Sequence, residues 1–236
     1  MSLLTICQQA FVRMGLPSPT AVTTATDAQT LRVLSFANEE GQELAARWPW
    51  QGLQREASFT TVATEQQGTL ATVCGADYGW IVNETIWNRT QRRPIFGPKS
   101  ESEWQALKAA FVNGPWYQFR IRQNAILFTP IPAAGDSCYF EWISKNWVIK
   151  ASDGTGSTIW TADADTSYMD ERLMALGIVW RWKQARGFDY AEDFAKYERA
   201  VDDAIARDGG KPRLSLNAGA NDLYPGVIVP AGNWGI

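Results

Sequence analysis

The sequence predicts an α+β protein: a discontinuous helical bundle, built from both ends of the chain, with a β-rich domain inserted between its halves. Apolar residues recur at spacings of three and four near both ends, whereas short central segments alternate with a period of two. We expect the bundle to comprise residues 1–48 plus 166–210, and the β-rich insert, with one helix, to span 49–165. Residues 211–236 are predicted to form an extended C-terminal arm. The chain has 236 residues, 45% of them hydrophobic, which is enough to build such a core.

Two helices are predicted in the N-terminal half of the bundle. Ser2 is expected to cap the first, which Gly15 ends, and Thr26 or Asp27 to cap the second. The inward-facing stripe of the second helix is predicted as Leu31, Leu34, Asn38, Gly41, Leu44 or Ala45, and Trp48. The glycine in this stripe is expected to mark a close approach between helices, because glycine in an exposed helix interior costs about 1 kcal/mol relative to alanine.

The central part of the chain consists of short segments typical of strands. They read "REASFTTVAT", "YGWIVNETIWN", "WYQFRIR", "NAILFTPIP" and "CYFEWISKNWVI". The stretch "RQNAI" is predicted to be a tight turn, so residues 116–130 should form a hairpin. The one helix of the insert is expected after Ser100, which can form a capping box with Glu103.

Two further helices are predicted at the C-terminal end of the bundle. The first, capped by Thr166 or Ser167, is apolar on nearly every side and contains Trp182. Because the bundle can cover only part of this surface, we predict that the rest packs against a neighbouring copy; enclosure by its own protomer fits the periodicity equally well. The second begins near Asp189 and has one apolar stripe and one charged face.

The C-terminal arm has no helical pattern, yet it is too apolar for a solvated linker. Its apolar and aromatic residues are Leu214, Leu216, Leu223, Tyr224, Val227, Ile228, Val229, Trp234 and Ile236. An arm that docks on another subunit needs such side chains, and docking on its own body is the alternative. The predicted partner-binding residues here are Leu214, Leu216, Tyr224 and Trp234.

A basic cluster stands out in the insert. The stretch "TIWNRTQRRPIFGPKS" contains Arg89, Arg92, Arg93 and Lys99 with no acidic residue between them. Arginines in a turn can hold a carboxylate or a phosphate through paired hydrogen bonds. We therefore predict these four residues to bind a partner, the alternative being a solvated hairpin tip.

Composition makes catalysis less expected, although enzymes that use carboxylates, lysine or tyrosine stay open. The chain has no histidine, which excludes imidazole-based catalysis and histidine-ligated metal sites. Its three cysteines are far apart, so neither a zinc site nor a disulfide framework is predicted. The acids of "TADADT" are better explained by a helix N-terminus than by calcium binding. Paired carboxylates for glycoside hydrolysis remain conceivable among Glu84, Glu141 and Asp153, but no motif singles them out.

No cofactor and no metal ion are predicted, since the sequence contains no nucleotide-binding or nucleophile motif. No stretch approaches the roughly 20 apolar residues that a membrane span needs. The opening "MSLLTICQQAFVRMG" is predicted to be a helix rather than a signal peptide, so we expect synthesis in a cytoplasm.

The order of several segments resembles the head-to-tail adaptor family of short-tailed bacteriophages, the tail tubular protein A family. The resembling stretches include "ANEEGQELAARWPWQGLQREASF", "NETIWNRTQRRPIFGP", "FEWISKNWV" and "LGIVWRWKQARGFDYAEDFAKYERAVDDAIARDGGKPRLSL". The resemblance implies a structural virion protein that forms a ring, generally of twelve copies, under the portal vertex. It implies that the ring continues the DNA channel and meets the tail nozzle, and it implies no catalytic residue.

We therefore expect a non-enzymatic connector subunit in the tail of a virion, made in the host cytoplasm. Its expected partners are further copies of itself, the portal protein, the tail nozzle protein and genomic DNA in passage, with no membrane. The main alternative is a carbohydrate-binding or carbohydrate-cleaving tail component that uses some of the 12 tryptophans as sugar platforms. A DNA-binding module built on the basic loop is a weaker alternative, given a net charge of -3.

Overall fold

The computed structural model describes residues 2–110, 114 and 116–209. The helices in this part of the chain are α1 (Leu3–Arg13), α2 (Ala28–Arg47), α3 (Leu70–Cys74), α4 (Glu101–Ala109), α5 (Glu171–Arg186) and α6 (Ala191–Arg207). The strands are β1 (Gln54–Thr60), β2 (Gln66–Thr69), β3 (Tyr78–Ile81), β4 (Trp87–Asn88), β5 (Arg93–Pro94), β6 (Gln118–Arg122), β7 (Ala125–Thr129), β8 (Ser137–Ser144), β9 (Val148–Ile149), β10 (Gly156–Ser157) and β11 (Thr166–Ser167). The predicted α+β class, with helices at both ends and strands between them, is confirmed.

Strand β8 organises the largest sheet. It pairs with the whole of β1 through residues 137–143. Its other edge pairs with β3 and with β4, which also pairs with β5, and all these pairs are antiparallel. A second sheet has the order β2-β7-β6 and a small third sheet the order β10-β9-β11. The predicted hairpin is β6-β7, and Gln123 and Asn124 turn it with positive φ angles of 49° and 60°.

Helix α5 is the centre of the bundle, because α1, α2 and α6 all pack against it. Its residues from Leu173 to Trp180 are buried without exception, and Trp182 is only 8% exposed. Trp182 was predicted to contact a neighbouring copy because the bundle was expected to leave part of this helix uncovered. That expectation is wrong. Its ring is covered by its own chain, with the Phe188 ring centroid at 5.5 Å and the Arg186 guanidinium carbon at 5.7 Å from the ring centroid.

The start of α5 also differs from the prediction. Thr166 and Ser167 do not cap the helix, because they form β11 and pair with β9. Asp170 is the capping residue, and its carboxylate accepts the backbone N–H of Arg172 at 2.7 Å. The predicted caps Ser2 and Asp27 and the Ser100–Glu103 capping box are confirmed.

The buried face of α2 is rotated from the predicted stripe. Leu31 and Trp48 are exposed, and the buried residues are Thr30, Val33, Ala37, Glu40, Gly41, Leu44 and Ala45. The close approach at Gly41 is made not by a helix but by Trp147, since a Cβ on Gly41 would lie 2.1 Å from that ring. Trp147 follows β8, so the core of the bundle includes side chains from the predicted insert.

A second core fills the β-rich part of the chain, around Phe119, Phe128 and Phe140. Within the described residues, no helix is both long enough and apolar enough to cross a membrane. The predicted arm, with Leu214, Leu216, Tyr224 and Trp234, lies outside the described residues.

Candidate docking surface

Three residues of the basic cluster, Arg89, Arg92 and Arg93, lie on one hairpin of the β-rich part, and Lys99 follows it before α4. Strand β4 pairs antiparallel with β5, so Arg89 to Arg92 form the connecting turn. Asn88 fixes this turn, because its amide oxygen accepts the Gln91 backbone N–H at 2.9 Å and its amide nitrogen donates to Asp136 at 2.8 Å. Arg92 takes a φ angle of 57°, which is uncommon for a residue other than glycine.

Two of the four predicted cations are already paired within the chain. Arg89 forms an ion pair with Glu56, and its guanidinium carbon lies 3.6 Å from the centroid of the Tyr139 ring. Lys99 lies 4.0 Å from the carboxylate of Glu103. The charge of these two residues is therefore largely compensated by their own chain.

The other two cations are exposed, and one of them, Arg93, lies beside an aromatic ring. Within the described residues Arg92 makes no ion pair, and the guanidinium carbon of Arg93 lies 5.4 Å from the centroid of the Trp116 ring. The Phe96 and Trp116 rings meet edge to face at 5.9 Å and are 39% and 44% exposed. We call Arg92, Arg93, Phe96 and Trp116 the arginine–aromatic patch.

Backbone hydrogen bonds hold Phe96 of the patch in place. The N–H of Phe96 donates to the Tyr117 carbonyl at 3.1 Å, and the N–H of Phe119 donates to the Phe96 carbonyl at 2.9 Å. Gly97 lets the two segments approach this closely, since a Cβ there would lie 2.4 Å from the Phe119 oxygen. The patch is thus presented where the chain after β5 meets the start of β6.

The residue types of the patch suit recognition of an acidic protein surface. Tryptophan and arginine are the residues that most often dominate the binding energy of an interface. A guanidinium can hold a carboxylate through two parallel hydrogen bonds, and an exposed ring offers apolar area beside it. No local spacing reveals this patch, because Trp116 lies on a different segment from Arg93 and only the fold brings them together.

Two of the three candidate glycosidase carboxylates do come together. Glu84 and Glu141 line one cleft of about 310 Å³, together with Glu56, Thr85, Trp87, Arg89, Tyr139 and Phe140. The third, Asp153, lies elsewhere and accepts hydrogen bonds from Thr155. In the cleft, Glu141 accepts a hydrogen bond from Gln54 and Arg89 covers the Tyr139 ring, so few groups remain for a sugar.

The most perturbed carboxylate of the described residues is inside the bundle and is not accessible. Glu40 is fully buried on α2, and this burial raises its pKa to about 7 against the opposing effects of Tyr197 and Arg181. The Nε atom of Arg181 donates to Glu40 at 3.0 Å. Sequence analysis missed this group, because a single acid within an apolar stripe carries no periodic signal.

The acids of "TADADT" do not lie at a helix N-terminus as expected, because they precede β11, and their role is structural. Asp163 accepts the backbone N–H groups of Val22 and Thr23, and Asp165 accepts those of Ala151, Thr161 and Ala162. Burial alone would raise their pKa values, but these hydrogen bonds lower both. In the described part of the chain, no group of three or more potential ligands is placed to hold a metal ion.

The family model described as SU10 adaptor protein matches residues 1–221. No curated protein matches the chain. The match therefore covers all the described residues and the first part of the predicted arm.

Proposed function

The chain belongs to the SU10 adaptor protein family of phage head-to-tail adaptors, and from this membership we propose that it forms a closed ring between portal and tail nozzle. As a member it is a structural adaptor and a component of the virion. We propose further that the ring contains twelve copies and that its central opening continues the DNA channel. The match across residues 1–221 is the observation that carries it.

Ring formation requires two different surfaces on each copy, because every subunit contacts its neighbours head to tail. Such permanent interfaces commonly bury about 2,000–5,000 Å². Since the apolar residues of α5 are enclosed by their own chain, the apolar contacts between copies must use other surfaces. We propose that the C-terminal arm contributes to them through Tyr224 and Trp234, whose large apolar side chains suit an interface.

The arginine–aromatic patch is proposed to dock on an acidic surface of another virion protein, the portal or the nozzle. Arg92 and Arg93 are the two cations of the predicted cluster that remain free of intrachain ion pairs among the described residues. A protein partner is favoured over DNA, because two free guanidinium groups give few phosphate contacts. A weakly charged chain, with a net charge of -3, also suits a channel through which DNA must slide.

The proposed role is structural rather than catalytic. The carboxylate with the clearest raised pKa, Glu40, is sealed in the bundle core and cannot meet a substrate. The second candidate function is carbohydrate binding at the cleft that contains Glu84, Glu141 and Trp87. A glycan array and a polysaccharide hydrolysis assay, each with Glu84→Gln as control, would detect that activity.

The adaptor proposal is tested with heads that contain portal but lack this protein. Adding the purified chain should place a ring on the portal vertex and restore attachment of the nozzle protein. Heads that remain bare, or that recruit the nozzle equally well without the chain, would contradict the proposal.

A further inference from the structure

The turn that carries the free arginines is held by polar side chains. Asn88 is fully buried and uses both ends of its amide: the oxygen accepts the Gln91 backbone N–H at 2.9 Å, and the nitrogen donates to the Asp136 carboxylate at 2.8 Å. The same carboxylate oxygen accepts the side-chain amide of Gln91 at 2.5 Å. Asp136 therefore holds two parts of the hairpin, the last residue of β4 and the middle of the turn. We call Asn88 and Asp136 the turn lock.

The turn lock is fixed to a separate segment of the chain. The backbone carbonyl of Asp136 accepts the Thr61 N–H at 2.8 Å, and the Asp136 N–H donates to the Thr61 hydroxyl at 3.0 Å. Thr61 is 1% exposed, and its hydroxyl donates to the Ala133 carbonyl at 2.7 Å. Because Thr61 directly follows β1, the lock ties the turn to the opposite edge strand of the large sheet.

The two halves of the turn are held in different ways. In the first half, the Arg89 N–H donates to the Ser137 carbonyl at 2.9 Å. In the second half, the hydrogen bonds that the described part of the chain offers pass through Gln91 and end on the turn lock. Arg92 comes next, with its φ angle of 57°. Residues other than glycine seldom adopt this region, so the surrounding contacts, and not the preference of arginine, keep Arg92 there.

We propose that Asn88 and Asp136 are positioning residues for docking, which hold Arg92 and Arg93 exposed in one arrangement before a partner binds. The proposal rests on the docking role of the arginine–aromatic patch and names what orients it. A binding loop that is already ordered loses less conformational freedom on association, so docking has a smaller entropic cost. Arg93 pairs with Asn88 in the β4–β5 ladder, so the lock also acts on Arg93 through the hairpin.

The charge of Asp136 separates positioning from simple electrostatics. A carboxylate beside the turn lowers the positive potential that an acidic partner meets, so loss of its charge alone should strengthen docking. Loss of its hydrogen-bond acceptor should weaken docking if the carboxylate positions the turn. Asp136→Ala removes both the charge and the acceptor, whereas Asp136→Asn removes the charge and keeps an oxygen that can accept both amides.

The first measurement is amide hydrogen exchange by NMR in the full-length protein, which needs no partner. The Gln91 amide should exchange at least about tenfold faster in Asp136→Ala, because Asn88 loses the group that orients its side chain. The Arg89 amide reports on the rest of the hairpin and should be unchanged, and Asp136→Asn should leave both rates near their natural values. An unchanged Gln91 rate in Asp136→Ala would overturn the proposal. Faster exchange at both positions would also overturn it, because Asp136 would then support the whole hairpin.

The second measurement is docking, followed as binding to portal-containing heads and as recruitment of the nozzle protein. Asp136→Ala should weaken docking by about fivefold or more, and Asp136→Asn should dock at least as well as the natural protein. Asn38→Ala is the matched control. The Asn38 amide likewise accepts a backbone N–H, from Trp160 at 2.9 Å, and donates to the Leu34 carbonyl at 3.1 Å, but it lies in the helical bundle. This control should lower stability and leave docking unchanged.

Each other docking result counts against the positioning role. If both Asp136 variants dock as tightly as the natural protein, the acceptor is not needed; if both dock weakly, the charge is needed instead. Equal weakening in Asp136→Ala and Asn38→Ala would assign the effect to stability alone. Arg93→Ala in the same assay separates this inference from the docking proposal. If Arg93→Ala weakens docking and Asp136→Ala does not, only the positioning role is wrong; if neither does, the docking surface is wrong and the positioning role is overturned with it.

Discussion

The carboxylate of Glu40 lies directly against the backbone of Gly177, where a Cβ would come within 2.0 Å of the carboxyl carbon. Helices α2 and α5 can therefore pack with a carboxylate between them only because position 177 has no side chain. Arg181, one turn further along α5, pairs with the same carboxylate at 3.0 Å. Together the three residues fix how the two helices meet at the centre of the bundle.

Replacing this glycine should destabilise the fold. Gly177→Ala forces the Glu40 side chain or the helix to move, and overpacking of this kind costs about 1–3 kcal/mol. The loss is measured by urea unfolding followed by circular dichroism. In a Glu40→Ala background, Gly177→Ala should lower the free energy of unfolding much less, because the obstructing carboxylate is gone. Equal costs in both backgrounds would show that the contact is unimportant.

The stability of the bundle should depend on pH through Glu40. Burial raises its pKa from 4.5 in the unfolded chain to about 7, so the folded state binds a proton more tightly. The resulting stabilisation is present below about pH 4.5 and is lost as pH rises through about 7, by up to roughly 3 kcal/mol. Arg181, Glu43 and Tyr197 are the other ionisable groups that act on this carboxyl.

The measurement is the free energy of unfolding of the natural protein minus that of Glu40→Gln, from pH 5 to pH 8. This difference should decrease as pH rises. The carboxyls of Asp163 and Asp165 have lowered pKa values and act in the opposite direction, but they are common to both proteins and cancel. A difference that is flat over this range would mean that Glu40 is ionised throughout.

The arginine–aromatic patch should matter for docking and not for folding. Arg93→Ala and Trp116→Ala are each expected to reduce binding to portal-containing heads by about tenfold or more, as at interface hot spots. Arg92→Ala combined with Arg93→Ala should also weaken the dependence of binding on salt. Arg122, exposed on β6 away from the patch, supplies the control Arg122→Ala. The proposed surface would be contradicted if Arg122→Ala weakened binding as much as the patch variants, or if the patch variants bound as well as the natural protein.

Arg89 should behave differently from its neighbours. Its ion pair with Glu56 and its position over Tyr139 predict that Arg89→Ala lowers stability by about 0.5–1 kcal/mol. Docking should be nearly unchanged, because the charge that is removed is compensated within the chain. Thermal unfolding and the head-binding assay together separate these effects, and a docking defect as large as that of Arg93→Ala would show that Arg89 contacts the partner.

Deleting the end of the chain should impair assembly. A protein without residues 217–236 is expected to fold but to bind neighbouring copies or heads more weakly, because Tyr224 and Trp234 are lost. Size-exclusion chromatography checks the fold and electron microscopy of incubated heads checks assembly. Rings that form with normal yield would remove these residues from the mechanism.

The sequence predicted the α+β class, most helix ends and the β6-β7 hairpin, because caps, glycines and alternating runs act locally. The predictions from sequence failed where a residue distant in the chain determines the local structure. Thr166 and Ser167 looked like helix caps but pair with β9, and Gly41 makes room for Trp147 rather than for a helix.

The same limit applies to the candidate site. The sequence groups four cations together, but only the fold shows that Arg89 and Lys99 have acidic partners and that Trp116 lies beside Arg93. The enclosure of Trp182 was equally hidden, because periodicity shows that a helix is apolar all round and not which chain covers it.

Cryo-electron microscopy of the mature particle tests the central claim most directly. The account predicts density for this chain in a closed ring between portal and nozzle, with Arg93 and Trp116 in contact with an acidic surface of one of them. A particle in which this chain lies outside the connector, or forms no ring there, would contradict the account.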